Sequence, residues 1–156
     1  MGFCELLEPG AIALPLEARD KWEAIRRLTA LLVETGRVGG ERFEEVLQAL
    51  IKREKELSTG MEKGIAIPHA SVDLPGEAWA VLGLAPQGIP FESLDGEPAR
   101  IIVLLVTPHA RRLRHLRTLS EIVRLLGDPG FCTRLLEQEE PEQVLEMLRR
   151  REQDGG

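Results

Sequence analysis

The most hydrophobic stretch of the chain is Ile-Ile-Val-Leu-Leu-Val at residues 101–106, and it constrains the fold more than any other feature. β-branched residues favour extended strands, and a run that is apolar at every position leaves no face suited to water. A strand buried on both faces needs helices packed on both sides of its sheet. The run is far too short to cross a bilayer, which takes about 20 residues in a helix. It therefore predicts an α/β protein.

Two amphipathic helices are predicted before this strand. Residues 20–36 begin with Asp20 and Glu23 at the spacing of a capping box and end at Gly36. The apolar residues of this helix follow a helical period, at Trp22, Ile25, Leu28 and Leu32. Residues 41–56 show the same pattern at Phe43, Val46, Leu47, Leu50 and Ile51. The Gly39-Gly40 break between them predicts a helical hairpin.

Three more helices are predicted after the strand. The first is long, and its apolar stripe is predicted to consist of Leu116, Leu119, Val123 and Leu126. Residues 129–138 and 141–150 predict two shorter helices, each with a proline in its first turn. Residues 151–156, REQDGG, are expected to be frayed.

Short apolar runs bounded by Gly and Pro predict further strands at residues 64–68 and 79–84. Residues 86–99, PQGIPFESLDGEPA, are rich in turn formers and predict a loop with room for a hairpin. The expected fold is a short mixed β-sheet flanked by helices on both faces, an α/β sandwich.

Length and charge narrow the class of protein. A chain of 156 residues predicts a single domain, 1–156, with its core at about 5–150. A net charge of −6 disfavours nucleic-acid binding, which needs a basic face. Cys4 and Cys132 form no C-x-x-C pair and suit a reducing compartment. With no signal-peptide pattern at the N-terminus and no run long enough to insert in a membrane, we expect a cytoplasmic protein.

Histidine is the side chain that titrates near neutral pH, so the three histidines are the first candidates for chemistry. His69 follows Ile67-Pro68, and because proline forces the preceding residue into extended geometry, a strand is predicted to end there and present the imidazole rigidly. Rigid positioning is most of what phosphoryl transfer asks of a nucleophile. A surface histidine in a turn is the alternative for His69, and a partly buried capping histidine is the alternative for His115. His109 lies six residues from His115, about 240° around one helix, so the two cannot chelate a metal from one face, and we take His109 as structural.

Several motifs recur in a fixed order along the chain. GIAIPHA at residues 64–70 follows Arg53-Glu54 and the Ser-Thr-Gly sequence at 58–60. Later, IIVLLVTP precedes His115-Leu116 near the start of a long helix, and DPGFCTRLL is followed by another helix. From about residue 5 to residue 150, this order and spacing resemble the enzyme IIA domains of the phosphotransferase system, of the mannitol, fructose and nitrogen-regulatory type.

The resemblance implies roles for five residues. His69 matches the histidine that the family phosphorylates on a ring nitrogen, and His115 matches a second histidine that stabilises the phosphoryl group. Arg53 matches an arginine that brings charge to the same pocket. Ser58 and Thr59 match a hydroxyl-bearing loop at the rim of the pocket. The resemblance implies no cofactor and no metal.

The same resemblance implies a phosphocarrier that accepts the phosphoryl group from HPr, or from its nitrogen-branch equivalent, and passes it to a IIB protein. The alternative is a nitrogen-type regulator whose phosphorylation state at His69 controls binding to a transporter or kinase. Both use one site, so the sequence leaves the choice open, and it indicates neither a sugar nor an oligomeric state. A metal-dependent hydrolase built on His69 and His115 is disfavoured because the sequence has no H-E-x-x-H or H-x-H motif.

A cluster of arginines gives this acidic chain one local basic patch, at Arg111, Arg112, Arg114 and Arg117. It can steer an acidic partner or support the phosphoryl group. The simpler interpretation is a solvated helix face.

Overall fold

The computed structural model describes residues 2–155, which fold around a five-stranded mixed sheet. The strands are β1 (Ile12–Ala13), β2 (Ile65–Ala66), β3 (His69–Val72), β4 (Trp79–Ile89) and β5 (Ala99–Pro108). The α-helices are α1 (Lys21–Glu34), α2 (Phe43–Glu56), α3 (Arg112–Leu125), α4 (Pro129–Leu136) and α5 (Pro141–Gln153). Met1 and Gly156, which the predicted domain includes, lie outside the described residues.

Strand β5, which contains the apolar run, lies in the middle of the sheet. It pairs antiparallel with β4 on one side and parallel with both β2 and β3 on the other, and β1 adds parallel to β4. All side chains of residues 101–106 are buried. The prediction of a strand without a solvent face is confirmed.

Helices cover both faces of this sheet, as predicted. Gly83 pairs with Ile102, and a Cβ added to Gly83 would stand 3.2 Å from Leu28 of α1, so α1 closes this face. Thr107 lies five residues after Ile102 and therefore points to the opposite face, where its hydroxyl contacts His115 of α3. The α/β sandwich is therefore confirmed.

The first two helices end where the sequence predicts, with small differences. The Asp20 carboxylate accepts the N–H of Glu23 at 2.9 Å, and Gly36 takes a φ of +80° just past the end of α1. Trp22, placed in the apolar stripe of α1, is instead exposed. A short 3₁₀ turn precedes α2, and α1 and α2 pack against each other as the predicted hairpin.

Two strand predictions need correction. The strand predicted at residues 79–84 continues to Ile89, because it pairs beyond a bulge with Ala99 and forms the expected hairpin with β5. His69 was expected to end a strand, but it begins β3 after a break at Ile67-Pro68. Proline has no N–H to donate, so β2 stops at Ala66 and pairing resumes at His69.

The predicted apolar stripe of α3 is right at Leu126, which is buried, and at Leu119, which packs partly buried against the core, but wrong at its other two positions. Leu116 is 61% exposed and Val123 is 43% exposed. The face turned inward is one residue earlier, at His115, Thr118, Ile122 and Leu125. One of these residues, His115, is turned inward beside His69 at the candidate site, so the buried row of the helix is not its most hydrophobic row.

The C-terminal helix is longer than predicted. It was expected to end at about residue 150 and fray from 151, but it continues to Gln153. Arg151 donates from Nε to the carbonyl of Leu125 at 2.8 Å and lies over the ring of Phe131. The frayed tail is therefore wrong for residues 151–153, and its last residue, Gly156, lies outside the described residues.

Candidate functional site

The ring of His69 is oriented by the backbone just before its strand. Its Nδ1 lies 2.6 Å from the carbonyl oxygen of Ile67. A carbonyl only accepts hydrogen bonds, so Nδ1 must carry the proton and Nε2 holds the free lone pair. The break at Pro68 places this carbonyl two residues before the ring. His69 is half-buried, so its ring is partly accessible to a reactant.

His115 stands beside His69. The two ring centroids are 5.3 Å apart and the ring planes are inclined at 50°. His115 is 9% exposed, and its Nδ1 lies 2.6 Å from the hydroxyl of Thr107 on β5. Helix α3 therefore supplies one histidine and the sheet supplies the other, and the structure brings together two residues that are 46 positions apart in the sequence.

Burial keeps both imidazoles neutral. The pKa of His115 is lowered from 6.5 to about 4, mainly by burial and to a smaller extent by the neighbouring His69. Burial also lowers the pKa of His69, as does the charge of Arg53, while the Ile67 hydrogen bond and the charge of Glu54 oppose this. At pH 7 the free nitrogen of His69 is therefore unprotonated, with a lone pair available for nucleophilic attack.

Arg53 lies in the last turn of α2, within electrostatic reach of His69. Its guanidinium donates to the carbonyl of Leu57 at 2.8 Å, a bond that ties it to the end of its own helix. Its side chain is only partly buried, so part of its donor set faces solvent. The position is suited to an anion arriving at His69, and the role of Arg53 there stays a prediction.

The hydroxyls of Ser58 and Thr59, predicted at the rim of the pocket, are both used inside the protein. Ser58 donates to the carbonyl of Phe91. Thr59 is buried and donates from Oγ1 to Glu54 at 2.5 Å. The Thr59 carbonyl accepts the Ile67 N–H at 3.1 Å, so this loop is joined to the segment that carries His69. Its direct contact with a phosphoryl group stays a prediction.

The sequence patterns did not identify three residues that lie near the site: Thr107, Glu54 and Lys21. Thr107 is the hydrogen-bond partner of His115, and its place after a buried strand was the one available signal. Glu54 belonged to the Arg-Glu motif but only the arginine was assigned a role. Lys21 gave no signal, since a lysine at a helix start is normally solvated.

The basic patch is partly neutralised within the protein. Arg111 and Arg114 both pair with Glu77, at 3.3 and 2.6 Å. Arg112 and Arg117 are exposed, as is His109, which lies in a 3₁₀ turn before α3. Among residues 2–155, no three His, Cys, Asp or Glu side chains are arranged to hold a metal ion. No helix in that range is long and apolar enough to span a bilayer.

Comparison with known protein families identifies the group to which this site belongs. Residues 5–151 match the family model of the phosphoenolpyruvate-dependent sugar phosphotransferase system, EIIA 2. The chain is 34% identical over 137 residues to a fructose-specific EIIA component of Haloferax volcanii, covering 88% of each protein. It is 29% identical to a fructose-specific EIIABC component of Bacillus subtilis, of which it spans 23% of the length.

Solved structures give the same assignment for the fold. The nitrogen regulatory protein IIA-Ntr of Neisseria meningitidis superposes with a TM-score of 0.84 at 26% identity, over 93% of this chain and 97% of that one. The enzyme IIA of mannitol from Escherichia coli, in its complex with phosphorylated IIB, gives a TM-score of 0.78 at 27% identity, over 92% and 96%. Because the family model matches residues 5–151, nearly the whole chain, the chain belongs to the EIIA 2 family of the phosphotransferase system.

Proposed function

We propose that this protein is a phosphocarrier that accepts a phosphoryl group on Nε2 of His69. The observation that carries the proposal is the pairing of a fixed Nδ1–H tautomer at His69 with a second buried imidazole 5.3 Å away. One ring supplies a lone pair in a defined direction, and the other supplies a neighbouring polar group. Membership of the EIIA 2 family supports the same role.

The transfer needs no proton to be removed from the nucleophile. The lone pair of Nε2 forms the new N–P bond while the donor's P–N bond breaks, and that bonding pair returns to the donor's ring nitrogen. The negative charge stays on the three phosphoryl oxygens, where positioned donors stabilise it. In this scheme His115 and Arg53 supply those donors. HPr, or its nitrogen-branch equivalent, is the proposed phosphoryl donor.

A IIB protein is the proposed acceptor, and the mannitol IIA–IIB complex among the structural relatives supports this partner. The second candidate is a regulator whose state of phosphorylation at His69 controls binding to a transporter or kinase. It is supported by the likeness to IIA-Ntr, of which this chain covers 97%. The two are separated by whether the phosphorylated protein loses its phosphate to a IIB protein.

The experiment is phosphorylation by phosphoenolpyruvate, enzyme I and HPr, with detection of an acid-labile, base-stable adduct. We expect labelling of the wild type and complete loss in His69→Ala. The matched control is His109→Ala, which removes an exposed histidine outside the pair and should label normally. Normal labelling of His69→Ala would refute the proposal.

A further inference from the structure

A buried pair of opposite charges lies beside the candidate site. Glu54 is 2% exposed and Lys21 is 5% exposed, with 3.3 Å between Nζ and Oε2. Lys21 also reaches the exposed carboxylate of Glu92 at 3.0 Å and lies over the ring of Trp22. Ionised side chains are almost never buried without partners, and such pairs gain little net stability. What this pair holds in place is therefore more telling than the stability it adds.

The carboxylate of Glu54 holds the loop at residues 58–60 by two bonds to a single residue. Its Oε2 accepts the backbone N–H of Thr59 at 2.9 Å, and its Oε1 accepts the Thr59 hydroxyl at 2.5 Å. With Lys21 on Oε2 as well, both carboxylate oxygens are occupied. The position of the Thr59 peptide is thus set by a charged group rather than by loop packing alone.

The Thr59 peptide passes this constraint to His69. Its carbonyl accepts the N–H of Ile67 at 3.1 Å, and the carbonyl of Ile67 accepts Nδ1–H of His69 at 2.6 Å. Hydrogen bonds therefore connect the ion pair to the ring residue by residue, through Lys21, Glu54, Thr59, Ile67 and His69. At Thr59 and Ile67 the path passes from the N–H to the carbonyl of the same residue, so it acts by fixing the position of the backbone.

We propose that Glu54, held by Lys21, is a positioning residue that fixes His69 in the tautomer and orientation that leave Nε2 free. The inference rests on the proposed function in one respect, because that function is what requires a free Nε2. Glu54 does not need to touch the phosphoryl group, because it acts through the carbonyl of Ile67. Its charge also reaches the ring, where it raises the pKa of His69 against the effect of burial.

The main test is the substitution Glu54→Gln, which keeps the shape of the side chain but removes its charge and one acceptor. The matched control is Glu56→Gln, the same change two residues later at an exposed position of α2. The first readout is the nitrogen chemical shifts of His69 in full-length protein labelled on the histidine rings. The wild type and Glu56→Gln should show a protonated Nδ1, and Glu54→Gln should show a mixture of both tautomers.

The second readout is the rate of phosphorylation by phosphoramidate, a small donor that requires no protein partner. We expect Glu54→Gln to react about 10-fold more slowly than the wild type, because Nε2 is correctly presented for less of the time. Glu54→Asp serves as a second variant, since it keeps the buried charge beside Lys21 but is one methylene shorter and cannot keep both bonds to Thr59. If Glu54→Gln does not fold, the tautomer and rate of Glu54→Asp decide the question.

The outcomes separate this inference from the proposed function. A folded Glu54→Gln protein with the wild-type tautomer and rate overturns the positioning role, even if His69 is the phosphoryl acceptor. The same holds for an unchanged Glu54→Asp if Glu54→Gln is unfolded. If the wild type accepts no phosphoryl group but Glu54→Gln still alters the tautomer, the proposed function fails and the positioning role stands.

Discussion

Phosphorylation of His69 should convert His115 from a neutral to a cationic ring. At present His115 has a pKa of about 4, because it is buried beside another imidazole. At an effective dielectric constant of about 20, two unit charges separated by 5.3 Å interact by about 3 kcal/mol. Each unit of negative charge on His69 would therefore raise the pKa of His115 by about 2.

A phosphoryl group carries a charge of about −1.5 to −2 near neutral pH. After allowance for screening by solvent and salt, this raises the pKa of His115 by about 3, to about 7. The incoming group would thus create the cation that stabilises it. Transfer to the next protein would restore the neutral ring.

The assay is a pH titration of the ring signals of His115 by NMR, before and after treatment with phosphoramidate. The control is His69→Ala given the same treatment, in which His115 should titrate alike with and without the reagent. A pKa of His115 that stays below about 5 in the protein phosphorylated on His69 would refute the reasoning.

Three further predictions follow from the packing of the site. Ile122→Ala should lower the free energy of unfolding by about 2–5 kcal/mol, whereas Val123→Ala should change it by less than about 0.5 kcal/mol. Equal effects of the two substitutions in urea denaturation would contradict the observed buried face of α3. The folded-state pKa of His115 lies below its unfolded value of 6.5, so the unfolded chain binds more protons between pH 6.5 and 4 and stability falls as the pH is lowered through that range. This loss is at most about 3 kcal/mol, and urea denaturation at several pH values should show a correspondingly smaller loss in His115→Gln, which keeps the contribution of His69, than in the wild type. His115→Ala should still accept phosphate on His69 but release it to a IIB protein about 100-fold more slowly, which rapid-quench kinetics would measure; unimpaired release would exclude a role for His115 in stabilising the transferred group.

The central strand could be predicted because its evidence is local. Every residue at 101–106 is apolar, so no choice of face has to be made, and burial on both sides follows. The ends of α1 could be predicted for a similar reason, since Asp20 caps the helix with its side chain and Gly36 ends it by its backbone conformation. The extension of β4 to Ile89 depends on pairing with β5 across a bulge, and nothing within residues 85–89 reports that partner.

Helix α3 shows where hydrophobicity misleads. The stripe through Leu116 and Val123 is more apolar than the row that contains His115 and Thr118, yet the second row is the buried one. A helix beside a polar site must turn polar side chains inward, and composition alone cannot distinguish this from an ordinary surface.

The candidate site divides in the same way. The proximity of His69 and His115 followed from motifs that belong to the family, and the structure brings their rings together. Lys21 and Glu54 are recognised only in three dimensions, since the two residues that pair lie on different helices. Thr107 had one sequence signal, its place after the apolar run, but its partner His115 is seen only in the structure. Sequence patterns point to the two histidines more readily than to the residues whose contacts hold their rings in place.

The proposed role of His69 can be tested by identifying the atom that carries phosphorus. The protein, labelled with ¹⁵N on its histidine rings and phosphorylated through HPr, would be examined for coupling between ³¹P and ring nitrogen. We expect a single bonded nitrogen, Nε2 of His69, because Nδ1 is committed to the Ile67 carbonyl. Phosphorus on Nδ1 of His69, or on any other residue, would contradict it.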